Sequence, residues 1–207
     1  MTMEARKAAY ERLLAACAGA FEGPLAELAT FTPGALPGPD RYVDWAPVEK
    51  PVIHHLHHSL TCTTPALREV AAAIVEGAPH FHWLTSYREE DGVSADFMER
   101  YGYFNLVTPE GPFLCDDYRL TVAFWGAGLI YPEHWHEPEE MYSVVAGAAR
   151  FRAAGRAARD VGVGEFVEHG SNQIHATDMI PGPLLSVICW RGGNIMKFPE
   201  MDVGQSV

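Results

Sequence analysis

The chain is predicted to be an α+β protein, mainly β, with a helical first half packed against a strand-rich second half. Two observations carry this. Apolar residues recur at helical spacing before about residue 100, and short β-prone runs separated by turn residues follow it. Helices followed by a run of strands indicate segregated layers rather than an alternating parallel sheet. The helical part is too small to bury a core alone. It is therefore expected to pack on the strands of residues 101–207 as an extension spanning residues 1–100.

The elements follow in order. Between Glu4 and Phe21, the residues Tyr10, Leu13, Leu14, Cys17 and Phe21 fall at spacings of three and four, one apolar stripe of a helix. Pro24, Pro33, Gly34, Pro37 and Pro39 punctuate a connector. Thr64 followed by Pro65 reads as an N-cap and first-turn proline of a second helix that ends at Gly77. Strands are predicted at Tyr103–Val107, Arg119–Trp125, Glu140–Val145, Ala149–Ala153, Gly164–Glu168 and Leu184–Trp190. Asn105 to Val107 stand just before a Pro-Glu-Gly turn, which suits a hairpin. Repeats and low-complexity tracts are not apparent.

Composition excludes several classes. With 207 residues, 48% hydrophobic and 11% aromatic, the chain can bury a substantial core and is not generally disordered. A formal charge of -12 repels phosphate backbones, so no nucleic-acid partner is expected. No apolar run approaches the ~20 residues of a membrane span. The opening residues lead into an amphipathic stretch rather than a signal-peptide core. Cys17, Cys62, Cys115 and Cys189 are scattered without a Cys-x2-Cys pair, which suits reduced thiols and a cytoplasmic protein.

The segment from Gly128 to Gly147 is the most informative. It holds His134, His136, Glu140 and Tyr142 between two glycines. Alternation in a strand sends residues two apart to one face, so His134 and His136 point together, and Glu140 and Tyr142 continue that parity. Two imidazoles and a carboxylate suit a borderline or hard divalent ion. Paired histidines at a sheet edge can also be plain polar residues. The second segment, Gly164 to His175, adds a further histidine that a neighbouring strand can bring alongside. His169 is the rival for that place. The densest histidine run, His54, His55, His57 and His58, lacks a carboxylate or cysteine at ligand spacing and is expected on a surface or partner-facing loop. His80 and His82, straddling Phe81 beside Trp83, are expected to be structural or pocket-lining.

The two segments resemble the paired motifs of the cupin superfamily, a small β-barrel (double-stranded β-helix or jelly roll) with a metal at its centre. Gly128, His134, His136, Glu140 and Gly147 match every defined position of the first motif. Gly164 and His175 match the second, which is departed from at Gly170, Asn172 and Met179, positions of turn and framework. Within that superfamily, His-Trp-His-Glu-Pro-Glu-Glu-Met-Tyr behind a helical extension resembles the dimethylsulfoniopropionate lyases over most of residues 60–195. The resemblance implies a metal held by His136, Glu140, Tyr142 and His175, with His134 as ligand or hydrogen-bonding neighbour. It also implies β-elimination to dimethyl sulfide and acrylate with Tyr142 or Tyr131 as general base.

The ligand set admits zinc, iron, manganese or cobalt. A sulfonium substrate calls for aromatic faces, for which Trp83, Tyr87, Tyr103, Phe104, Trp125 and Trp190 are candidates. The rivals are a cupin dioxygenase or isomerase on another small acid, and a cupin that only binds a small molecule. The N-terminal helix and the histidine-rich connector are available as lid, homodimer contact or surface.

Overall fold

Helix α1 (Met3–Phe21) starts where the Thr2 side chain accepts a hydrogen bond from the Ala5 N–H, with Glu4 in the first turn. Its stripe buries Tyr10, Leu13, Leu14 and Cys17 as the spacing requires, with Ala20 completing it and Phe21 only half-buried. A short α2 (Ala26–Phe31) and a 3-10 helix at Pro51–Leu60 follow. Helix α3 (Arg68–Gly77) starts three residues later than Thr64 predicts, because the Thr64 carbonyl closes a turn onto the Leu67 N–H and no side chain caps the helix. Gly77 ends it for a packing reason. A Cβ there would lie 2.4 Å from the Phe81 ring. Helix α4 (Ala95–Arg100), capped by Ser94, leads directly into the strands. The computed structural model describes residues 2–88, 93–180 and 182–201.

Among the described residues, ten strands form one curled, mainly antiparallel sheet, the half-barrel that the cupin resemblance implies. They are β1 (Tyr101–Thr108), β2 (Phe113–Leu114), β3 (Tyr118–Trp125), β4 (Ile130–Trp135) and β5 (Glu139–Ala153). Then come β6 (Arg159–Gly162), β7 (Phe166–His169), β8 (His175–Asp178), β9 (Leu184–Arg191) and β10 (Glu200–Met201). The order is β10-β4-β8-β5-β9-β3-β1-β2, with β6 and β7 also on β5. The turn after Val107 does not fold the chain back antiparallel at once. Strand β2 returns parallel to β1, and the antiparallel partner of β1 is β3.

Strand β5 fuses two predicted strands and turns the sheet's corner. Its first half pairs with β9 and β7, its second half with β6 and β8. A bulge between Val144 and Ala146 and the positive φ of Gly147 (78°) make the bend. A Cβ on Gly147 would meet the Pro183 carbonyl oxygen at 1.7 Å, so the closing glycine of the first motif is required by backbone contact.

The sheet is buried on both sides. Leu120, Val122, Phe124, Met141, Val145, Leu185, Val187 and Cys189 face the helices and join Tyr10, Leu13, Ile74 and Phe81 in one core. Ala123, Trp125, Tyr142, Ile188 and Trp190 turn the other way and line the curled interior. Covering the outer face with helices is what lets β1, β3 and β9 be buried along nearly their whole length.

Gly147→Ala is expected to cost about 3 kcal/mol or more, because strain and a backbone clash add. Gly155→Ala, at the same φ of 78° with nothing within 4 Å, should cost only about 1 kcal/mol. Thermal unfolding by circular dichroism compares them; equal losses would remove the role given to the Pro183 contact.

Candidate active site

Strand register brings the site together. His134 on β4 lies directly opposite His175 on β8, and Glu140 on β5 is flanked by His169 on β7 and Trp190 on β9. His134 and His136 converge as their two-residue spacing predicts. The parity does not run through to Glu140, because the chain bends at residues 136–138 and Glu140 belongs to a different strand. The sheet's topology, not a continuous alternation, produces that convergence. A register shift between Tyr131 and His134 also lets both side chains turn inward despite their odd spacing. The Asn172 position, where the second motif has glycine, adopts φ 55°, a conformation asparagine tolerates well, and its N–H bonds the His136 carbonyl at 2.8 Å.

Three imidazoles are oriented alike. Nδ1 of His134, His136 and His175 donates to the carbonyls of Pro132, Pro138 and Gln173 at 2.8, 2.9 and 2.7 Å. A carbonyl can only accept, so Nδ1 carries a proton, and whenever a ring is neutral its Nε2 offers a lone pair. Nε2 of His136 and of His175 both lie 3.1 Å from the same oxygen, Oε2 of Glu140. The His175 approach is not aligned as a hydrogen bond. Two lone pairs facing a carboxylate repel it unless a proton or a cation stands between them. The carboxylate's other oxygen accepts from Trp190 Nε1 at 2.6 Å.

Burial opposes charge on Glu140, yet His136 and His175 hold its carboxyl well below the usual carboxylate range. Burial likewise opposes the His136 imidazolium, but the Glu140 carboxylate raises its pKa overall. His134 falls well below its ordinary value through burial and the neighbouring His175. His169, stacked on His175 at 3.9 Å, has no hydrogen-bond partner on either nitrogen among the described residues, and burial lowers it to about 3. Donor atoms of His134, His136 and His175, and of Glu140, His169 and His175, gather within 4.8 Å. This buried nitrogen and oxygen set is compatible with a divalent metal ion.

Beside the donors lies a cavity of about 40 Å³, room for a ligand of a few heavy atoms. Its walls include Tyr101, Tyr103, Trp125, Tyr131, Tyr142 and Trp190, with Phe198 and Pro199 on its rim. The Tyr87 and Tyr131 hydroxyls share a hydrogen bond of 2.7 Å. Burial, then neighbouring hydroxyls, raise Tyr131 well above an ordinary phenol; for Tyr142 it is burial, then the Glu140 charge. Of the aromatic candidates, Tyr103, Trp125 and Trp190 line the cavity and Tyr87 reaches it through Tyr131. Trp83 and Phe104 do not. They sit on the helix side of the sheet, where Trp83 Nε1 bonds the Ala78 carbonyl at 2.9 Å.

The histidine run at positions 54–58 lies on the 3-10 helix, which buries Val52, Leu56 and Ser59 and leaves His54, His57 and His58 exposed. It belongs to no metal-competent group among the described residues. His82 is half-buried with Nδ1 on the Ala46 carbonyl. The sequence reading missed Tyr101 and Arg119. Both share strand parity with named residues, Tyr101 with Tyr103 and Arg119 with Trp125, so parity was the available signal.

A family model described as dimethylsulfoniopropionate lyase matches residues 35–186. The dimethylsulfoniopropionate lyase DddQ of Ruegeria pomeroyi is 31% identical over 161 residues, covering 76% of this chain and 80% of that relative. Its crystal structure superposes with a TM-score of 0.79 at 29% identity, over 93% of this chain and 95% of the other. A structure from a study of the DMSP lyases RdDddP and RnDddQII superposes with a TM-score of 0.88 at 34% identity, over 95% and 99% of the two chains.

The donor set generates a prediction. His136→Ala and Glu140→Ala should each lose bound divalent metal by elemental analysis, whereas His54→Ala should keep it. Because ligation needs neutral imidazoles, uptake should weaken as pH falls. The raised pKa of His136 places the onset of that loss above the ordinary histidine value, since the ring holds its proton to higher pH. A metal titration across pH 5 to 8 that shows no weakening on the acid side would contradict it.

Proposed function

The chain belongs to the dimethylsulfoniopropionate lyase family, a family of carbon–sulfur lyases, and from that premise we propose a metal-dependent β-elimination with a tyrosine as base. The substrate is a small zwitterion, dimethylsulfoniopropionate. The observation that carries the reading is the pair of histidine Nε2 atoms set 3.1 Å from one buried carboxylate oxygen, an arrangement that calls for a cation. When bound, the ion supplies a Lewis acid that makes the proton next to the substrate carboxylate more acidic and stabilises a nearby phenolate.

His136, Glu140 and His175 form the proposed ligand core, with His134 and Tyr142 beside it. Tyr131 is the proposed base. Tyr131 lines the cavity, and the Tyr87 hydroxyl at 2.7 Å gives its own hydroxyl a partner for the proton. In its phenolate form Tyr131 takes the α-proton, the C–H electron pair becomes the carbon–carbon double bond, the β-carbon–sulfur bond breaks with its pair leaving on sulfur, and the phenol then passes the proton to solvent. Acrylate and dimethyl sulfide result, with one proton released to solvent. The aromatic lining excludes water and offers ring faces to the sulfonium. The four free cysteines support a reducing, cytoplasmic setting.

Metal-loaded protein incubated with dimethylsulfoniopropionate should yield dimethyl sulfide in the headspace and acrylate in solution, one for one. No dimethyl sulfide with zinc, iron, manganese or cobalt would sink this reading. Tyr131→Phe should lower turnover at least about a hundredfold while keeping its metal. If Tyr142→Phe alone loses turnover at unchanged metal content, the base is Tyr142; if both keep full turnover, neither is the base.

A further inference from the structure

The cavity wall holds, besides the Glu140 carboxylate, a buried cation that forms no ion pair among the described residues. Arg119, on β3, is the one arginine among the described residues that is buried, at 7% exposure. Its Nε donates to Asn105 Oδ1 at 3.1 Å and its Nη1 to the Ile195 carbonyl at 3.4 Å. Neither partner is charged. Among the described residues Arg119 has no carboxylate partner, and Nη2 makes no hydrogen bond to the protein. Arg6, Arg12, Arg100, Arg150, Arg152 and Arg191, all less buried, each pair with a carboxylate. A guanidinium removed from water without an anion is costly, and its neutral partners only partly offset this.

The guanidinium also lies 5.4 Å from the Tyr103 ring centroid and 5.2 Å from that of Trp190. Those two rings already face a cation, and a sulfonium brought to the same place would be repelled by it. The remaining rings of the cavity carry none. Tyr101, Trp125 and Tyr131 lie within 5.4 to 5.8 Å of one another, with Tyr101 6.4 Å from Tyr103. The cationic end of the cavity, at Arg119, shares its wall with the Glu140 carboxylate, and the rings with no cation over their faces among the described residues are Tyr101, Trp125 and Tyr131. Arg119, Trp190 and Glu140 also stand in one row across β3, β9 and β5, which puts the cationic end on the side of the metal donors.

We propose that Arg119 seats the substrate carboxylate and thereby orients the zwitterion, with its sulfonium against Tyr101, Trp125 and Tyr131. Arg119 acts as a substrate-binding residue that sets polarity, and it takes no proton. The inference rests on the lyase reading for the identity of the substrate. The guanidinium alone points to a small oxyanion, and the lyase reading makes that anion a carboxylate.

The test compares wild type, Arg119→Gln and Arg119→Lys, each first matched for thermal stability and metal content. For Arg119→Gln, KM for dimethylsulfoniopropionate should rise at least about tenfold with kcat changed far less, the signature of lost binding. Acrylate affinity, followed by tryptophan fluorescence, should fall by a similar factor, while trimethylsulfonium, which lacks a carboxylate, should bind no more weakly than to wild type. Arg119→Lys, which keeps the charge and loses the planar fork, should fall between. A KM and an acrylate affinity within twofold of wild type in either folded variant would overturn the proposal. Should the glutamine variant not fold, the lysine variant together with wild-type binding of acrylate against acrylamide decides it, equal binding of acid and amide counting against the proposal. A wild type that binds acrylate through Arg119 but releases no dimethyl sulfide would refute the lyase reading and leave Arg119 as a carboxylate seat.

Discussion

A carboxylate buried at 2% exposure costs several kcal/mol unless donors or opposite charge compensate it, and Glu140 is in that position. The rest of the interior is arranged around this constraint. Trp190 gives its N–H to one oxygen, and His136 and His175 bring Nε2 to the other. The backbone carbonyls of Pro132, Pro138 and Gln173 hold the histidine rings in place by accepting hydrogen bonds from their Nδ1–H groups. No single strand could supply all of these groups. Strands β4, β5, β8 and β9 must curl together to do it, which explains why the bend at Gly147 tolerates no side chain.

The helices serve the site from the far side. A sheet with one wet face must keep that face polar, which would constrain every second residue of β3 and β9. Here the helical segments share one core with Leu120, Val122, Val187 and Cys189, leaving the inner face free for Trp125, Trp190 and the polar donors. The interior is thus buried without being purely apolar. Tyr131 and Tyr142 are held protonated by burial, and Glu140 stays ionised only because imidazoles oppose it. A cation entering among these groups would change the protonation balance of all of them together, which is the behaviour expected of an acid–base centre.

Local pattern made much of this legible. The glycine-bounded spacing of His134, His136, Glu140 and Gly147, with His175 at the second motif, marked the donor set. The stripe of Tyr10, Leu13, Leu14 and Cys17 marked the helix that covers the sheet. Trp83 and Phe104 were harder. An aromatic residue reads the same whether it faces helices or cavity, and only strand parity fixed by pairing tells them apart. The start of α3 slipped because Thr64 and Pro65 satisfy a turn as readily as a helix cap.

By itself the sequence determined the fold class and the family and singled out the proposed donors, because these depend on residue type and short spacing, which a linear chain carries directly. The tertiary structure decided which donors face one another and which rings line the cavity. It also decided that Arg119, an unremarked residue at the start of a predicted strand, lines the cavity with no carboxylate partner among the described residues. Burial and the partners of a charge are set by segments far apart in the chain, Asn105, Ile195 and Trp190 in this case. They exist only once the sheet has closed.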